Sequence, residues 1–142
     1  MSCDEFWAEK DRGAFLNGRQ INTQASDELI IVLYEAQNPA RDIPMIMTIL
    51  SKFRRARCLG SVALDLAYLS MGSASAFINP FPSRSFDFAG GWLIVKEARC
   101  VFTDMSGNAL ESVETGLVHS APLLVSANEK IHDKLLGFIS VQ

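Results

Sequence analysis

At 142 residues the chain has the length of one domain, 1–142, able to bury roughly 68–70% of the surface its unfolded form exposes. Thirteen Lys+Arg against 16 Asp+Glu give a net charge of -3, which leaves no cationic excess for phosphate backbones and excludes nucleic acid as an expected partner. No apolar run reaches the ~18 residues of a membrane span, the acidic start MSCDEFWAEK lacks a signal-peptide core, and Cys3, Cys58 and Cys100 read as scattered reduced thiols, so a cytoplasmic protein with no membrane contact is expected.

Residues 4–22 read as a hairpin, with strands at Phe6-Trp7-Ala8 and Ala14-Phe15-Leu16 and turns at Asp11-Arg12-Gly13 and Asn17-Gly18. The continuous apolar run LIIVLY, residues 29–34, predicts a strand covered on both faces. Asp42-Ile43-Pro44 predicts a helix start, with Asp42 as N-cap, Pro44 in the first turn and an apolar face of Ile46, Ile49, Leu50 and Phe53. That helix is expected to end in Arg54-Arg55, where cations suit the dipole.

Ser61 is expected to cap a second helix running from Val62 to Met71, with Asp65 its only charge and Gly72 its stop. A strand over 74–79, a Pro/Ser loop from Pro80 to Arg84 and a helix over about 85–98 follow. A strand at 100–103, a turn at Ser106-Gly107-Asn108 and a short buried strand at 122–127 come next. The last helix is amphipathic: Ile131, Leu135, Leu136, Phe138 and Ile139 oppose Glu129, Lys130, Asp133 and Lys134. Alternation of strands and helices from residue 29 onward predicts an α/β fold, a three-layer α/β/α sandwich with a mixed, mainly parallel sheet.

Adding the 9 glycines and leaving out the 2 tyrosines raises the apolar share from 49% to about 54%, against the usual ~45–50%. A small domain has proportionally more surface to keep polar, so the excess predicts surface buried against something else: the chain oligomerises, or it is part of a larger folded unit.

Two segments could carry chemistry. Asp87 stands alone between Arg84 and Lys96 in an apolar run near a helix start, where a carboxylate needs a partner: a metal, or the amides of the first helical turn. Gly60-Ser61 sits at a strand-to-helix junction whose free amides could hold an anion or a hydroxyl, or simply form a turn and an N-cap.

Five blocks in order carry a resemblance. They are Gly13-Ala14-Phe15-Leu16-Asn17-Gly18, then Leu59-Gly60-Ser61-Val62-Ala63-Leu64-Asp65-Leu66-Ala67-Tyr68, and Phe86-Asp87-Phe88-Ala89-Gly90-Gly91. Leu93-Ile94-Val95-Lys96-Glu97-Ala98 and Val101-Phe102-Thr103-Asp104 complete them. Together they resemble the C-terminal half of the inositol monophosphatase family, and the loop from Asn79 to Arg84 looks closer to its archaeal members, which overlap in activity with fructose-1,6-bisphosphatase. The N-terminal half of that family carries a metal-binding glutamate and the signature D-P-[IL]-D-G-T, which this sequence does not contain.

The resemblance implies a Mg²⁺-dependent sugar- or inositol-phosphate monoesterase with two or three metal ions. This half would supply Asp87 as one metal ligand and the backbones of Gly60, Ser61 and Val62 as contacts to sugar hydroxyls. Asn79 stands where many members have an acidic hydroxyl binder, and it can still hydrogen-bond a hydroxyl. Arg84 is a candidate contact to substrate phosphate or else a solvated loop side chain. Phe86 replaces the tryptophan of the family pattern. Arg54, Arg55 and Arg57 are read as a helix end and a surface strand, and neither His119 nor His132 has partners at metal-ligand spacing.

Two functions follow as expectations. In one, the chain is half of a phosphatase, inactive or nearly so until an N-terminal half-protein joins it, with Mg²⁺ bound only then. In the other, it is a non-catalytic binding or assembly module of the same descent. In either, the uncovered hairpin predicts a homo-oligomer.

Overall fold

Two positive-φ pairs turn the chain at its start. Asp11 (φ 63°) and Gly13 (φ 97°) make the first turn, and Asn17 (φ 50°) with Gly18 (φ 78°) the second, the backbone that an Asn-Gly hairpin turn requires. The computed structural model describes residues 3–113 and 120–141. In it β1 (Phe6–Glu9), β2 (Gly13–Leu16) and β3 (Arg19–Ile21) form an antiparallel sheet in that order, so the expected hairpin gains a third strand. Trp7 pairs with Phe15 across β1 and β2, their rings stacked 4.2 Å apart.

The second sheet contains β4 (Ile31–Tyr34), β5 (Arg55–Arg57), β6 (Ala76–Asn79), β7 (Val101–Asp104) and β8 (Leu123–Ser126), in the order β5-β4-β6-β8-β7. β4 runs parallel to β5 and β6, whereas β8 lies antiparallel to both β6 and β7. Four of the five strands therefore point one way, yet only half of the pairings are parallel. Every residue of β6 and β8 is buried, which requires cover on both faces.

Four helices provide that cover: α1 (Pro39–Leu50), α2 (Val62–Ser70), α3 (Ser85–Glu97) and α4 (Glu129–Ser140). α1 packs with α4 and α2 with α3, giving the α/β/α layering expected from the alternation of elements. The small sheet leans on α3 through β1 and β2. Phe77, Ile78, Leu123 and Leu124 fill the centre, met by Ile46, Ile49, Leu66, Leu69, Phe88, Ile131 and Leu135 from the helices.

Two helix ends differ from the sequence expectation. α1 begins at Pro39 with Asn38 as N-cap, because Pro39 already supplies the fixed φ of a first helical residue. Asp42 therefore lies inside the helix, its carboxylate reaching back to the Asn38 amide at 2.8 Å, and Pro44 falls in the interior, where it removes one helical donor. At the other end the helix stops at Leu50, with no basic residue in its last turn, and Arg55 and Arg57 belong to β5. The apolar face holds: Ile46, Ile49, Leu50 and Phe53 are all buried.

The remaining expectations fall into place locally. Ser61 accepts the Leu64 amide and caps α2, and Gly72 (φ 82°) ends it in the left-handed conformation that glycine allows. His132 is buried, with Nδ1 2.9 Å from Ser126 Oγ and Nε2 3.1 Å from Thr103 Oγ1, and it ties α4 to β7 and β8. His119 lies outside the described residues. Cys3, Cys58 and Cys100 are free thiols.

Candidate functional site

Parallel strands bring their C-terminal ends, and the loops that follow, to one edge of a sheet, where ligands of open α/β folds bind. Here β4, β5 and β6 end together, and the segments after them enclose one open pocket of about 790 Å³. Glu35 and Gln37 follow β4, residues 60–63 follow β5, and residues 81–84 with Phe86 and Asp87 follow β6. α2 and α3 both start at this pocket, so the positive dipole ends of two helices face it.

Gly60 has φ 73°, so the chain turns from β5 into α2 through a residue that glycine suits. Ser61 uses its hydroxyl on the Leu64 amide at 3.4 Å. Arg84 precedes α3, its guanidinium 5.8 Å from the centre of the Phe86 ring, and Phe86 is 53% exposed.

Of the residues singled out in the sequence, the fold gathers Gly60, Ser61, Val62, Arg84 and Asp87 around this pocket. Asn79 is not on the lining. It is fully buried, its amide donating to Ser83 Oγ and its Oδ1 accepting the Phe81 amide at 3.4 Å, so it shapes the loop that forms one wall.

Asp87 departs from its sequence environment. Its apolar neighbours predict burial, but successive helical residues point about 100° apart. Phe88 takes the core position (1% exposed), while Asp87 is exposed in the first turn of α3. Its backbone amide donates to the Arg84 carbonyl at 3.0 Å. Among the described residues its carboxylate makes no hydrogen bond to first-turn amides.

The buried carboxylate of this region is Asp65, on α2, with no solvent exposure. Neither of its oxygens has a hydrogen-bond donor, nor does Oε1 of Glu35. Burial, and then the hydrogen bond and charge of Glu35, push the Asp65 carboxyl up to about 9, so at neutral pH it holds a proton. That proton supplies the donor which two bare carboxylates would lack.

Glu35, Gln37, Phe81 and Ser83 were not singled out by the sequence. For Glu35 a signal was present: a carboxylate that directly follows an apolar strand run stands at the ligand-binding end of a parallel strand. For Asp65 the signal was its being the only charge on α2.

Chemically, the pocket offers backbone amides, an arginine and carboxylates to a ligand carrying anionic groups and hydroxyls. It does not make a complete metal centre: among the described residues no three His, Cys, Asp or Glu side chains come together to hold an ion. Mg²⁺ takes near-octahedral oxygen coordination, which a lone Asp87 does not provide.

Known proteins share this fold. The model of the inositol monophosphatase family matches residues 2–140. A fructose-1,6-bisphosphatase/inositol-1-monophosphatase of Methanothermobacter thermautotrophicus is 32% identical over 139 residues, which cover 97% of this chain and 49% of the relative. A bifunctional NADP phosphatase/NAD kinase of Methanococcus maripaludis is 40% identical over 88 residues, 61% of this chain and 15% of the relative. Among solved structures, an IMPase of Thermotoga maritima superposes with a TM-score of 0.77 at 28% identity, covering 97% of this chain and 52% of that one. The chain spans about half the length of the full-size phosphatases it matches.

Proposed function

The chain belongs to the inositol monophosphatase family, and from that membership we propose that it is the C-terminal half of a Mg²⁺-dependent phosphomonoesterase acting on sugar or inositol phosphates. The observation that carries this reading is the meeting of Gly60, Ser61, Val62, Arg84 and Asp87 around one pocket at the ends of three parallel strands. In it the amides of residues 60–62 donate to sugar hydroxyl oxygens and Arg84 faces the phosphate. Asn79 acts through Ser83 by setting the wall.

Asp87 is one ligand of a magnesium centre whose other carboxylates lie on polypeptide outside this sequence. In such enzymes the bound metal activates water and neutralises the leaving oxygen. Taken alone, the residues of this chain do not fit that centre, so no catalytic step is assigned to them. The reading includes a cytoplasmic setting, an N-terminal half as partner, and self-association while that partner is absent.

Phosphate release from inositol monophosphate and fructose 1,6-bisphosphate, with millimolar Mg²⁺, tests the proposal. The purified chain is expected to release a negligible amount. Mixing or co-expressing it with the N-terminal half of the Methanothermobacter relative is expected to produce turnover that Asp87→Asn abolishes. Turnover above about 1 s⁻¹ by the chain alone, lost in Asp87→Asn, would overturn the half-site. Tight association with the N-terminal half but no release would favour the alternative, a non-catalytic binding or assembly module.

A further inference from the structure

Glu35 on the pocket wall meets a second, buried carboxyl, Asp65, and the metal and backbone contacts give this pair no role. The register of β4 on β6 sets Tyr34 opposite Ile78, and the Glu35 amide donates to the Ile78 carbonyl at 3.0 Å. Glu35 and Asn79 thus leave neighbouring strands side by side. Their side chains part there: Asn79 is spent on Ser83 and Phe81 inside the loop, while Glu35 lines the pocket with Gly60, Ser61 and Asp87.

Behind Glu35 stands Asp65, buried, with no donor for either oxygen. Among the described residues no cation pairs with it. Two carboxylates in this position repel unless one proton is shared between them, and the deeper group loses more hydration on ionising. The proton therefore belongs on Asp65, which donates it to Glu35. The negative charge stays on the side chain that reaches the pocket.

We propose that Glu35 is the carboxylate that receives hydroxyls of a polyol phosphate in this pocket, one strand over from Asn79, and that Asp65 is a positioning residue holding Glu35 from beneath. The inference rests on the reading of the pocket as a sugar- or inositol-phosphate site. With Oε1 of Glu35 buried on the Asp65 side, its other oxygen is left to accept from a hydroxyl, whereas the amides at residues 60–63 and the Arg84 guanidinium can only donate. With Glu35 in place the pocket can satisfy both the donors and the acceptors of a phosphorylated polyol.

The test is an amide-resolved NMR titration of the chain at neutral pH with myo-inositol 1-phosphate and, as a probe without carbon-bound hydroxyls, inorganic phosphate. Shifts at residues 60–63 and tighter binding of the inositol phosphate are expected. Glu35→Gln should weaken inositol phosphate about tenfold, the loss of one charge-assisted hydrogen bond, and leave inorganic phosphate unweakened. Asp65→Asn, which still donates to Glu35, should keep inositol phosphate affinity within about threefold, while Asp65→Leu should behave like Glu35→Gln. If Asp65→Leu does not fold, the other two variants decide. Undiminished preference for inositol phosphate in Glu35→Gln overturns this inference alone. Absence of any shift at residues 60–63 with either probe overturns the pocket assignment and this inference together.

Discussion

The carboxylate of Glu97, the last residue of α3, accepts the amide of Gly13, the first residue of β2, at 2.9 Å. Its other oxygen takes the Asp11 amide at the same distance, so one side chain fastens the turn of the small sheet to the helix beneath it. Glu97→Ala is expected to destabilise the chain by about 1–3 kcal/mol and to speed amide exchange at residues 13–16 more than in the large sheet. Uniform exchange rates across the two sheets in the variant would show that the contact is incidental.

Adjacent glycines of α3 should respond with opposite signs. A Cβ on Gly91 would lie 2.6 Å from Leu66 Cδ1 and 2.9 Å from its Cβ, so Gly91→Ala forces α2 and α3 apart at a cost of about 1–3 kcal/mol. A Cβ on Gly90 meets nothing within 4 Å, and Gly90→Ala should gain up to about 1 kcal/mol from helix propensity. Thermal denaturation of the two variants separates them. Equal shifts would refute the close packing of these helices.

Asp65 makes stability fall as pH rises from about 4 to about 9. Its carboxyl is raised from the ordinary 3.8 to about 9, so across that interval unfolding releases a proton. The stability tied to the bound proton is whole below pH 3.8, declines as pH rises, and is gone once pH passes about 9. Asp65→Asn removes the ionisation. Its melting temperature should exceed that of the unaltered chain by a margin that widens from pH 5 to pH 9. Parallel curves would mean that Asp65 carries no excess proton in the folded chain.

The small sheet leaves β1 and β3 as edges, and Trp7 on β1 is 40% exposed against Phe15. Unpaired edge amides beside an aromatic pair form a template for another chain. Light scattering at micromolar concentration should give a mass above 15.6 kDa, and Trp7→Lys should reduce it. A 15.6 kDa species at all concentrations would rule out association through this edge.

Much of the fold is legible in the sequence because its signals are local. The Asn17-Gly18 turn, the Ser61 cap, the Gly72 stop and the apolar spacing of Ile46, Ile49 and Leu50 each depend on residues within a turn or two of one another. The start of α1 is ambiguous in the sequence, since Pro39 and Asp42 both carry helix-start chemistry and only the folded backbone ranks them. The family, too, is written in five local blocks.

What the sequence could not determine is which carboxylates the fold would bury and which it would present to solvent. Asp87 sits among apolar residues yet emerges at the surface, and Asp65 sits on a similar helix yet is buried against Glu35. Asn79 turns inward to Ser83 while Glu35, on the next strand, lines the pocket. Likewise nothing local distinguishes β8, an apolar strand like β4, as the one that runs antiparallel. The physical reason is common to all of these: the environment of a side chain is set by the element packed against it, and that element lies tens of residues away. Sequence spacing fixes the direction of a side chain on its own helix or strand, but only the tertiary structure decides what it meets there.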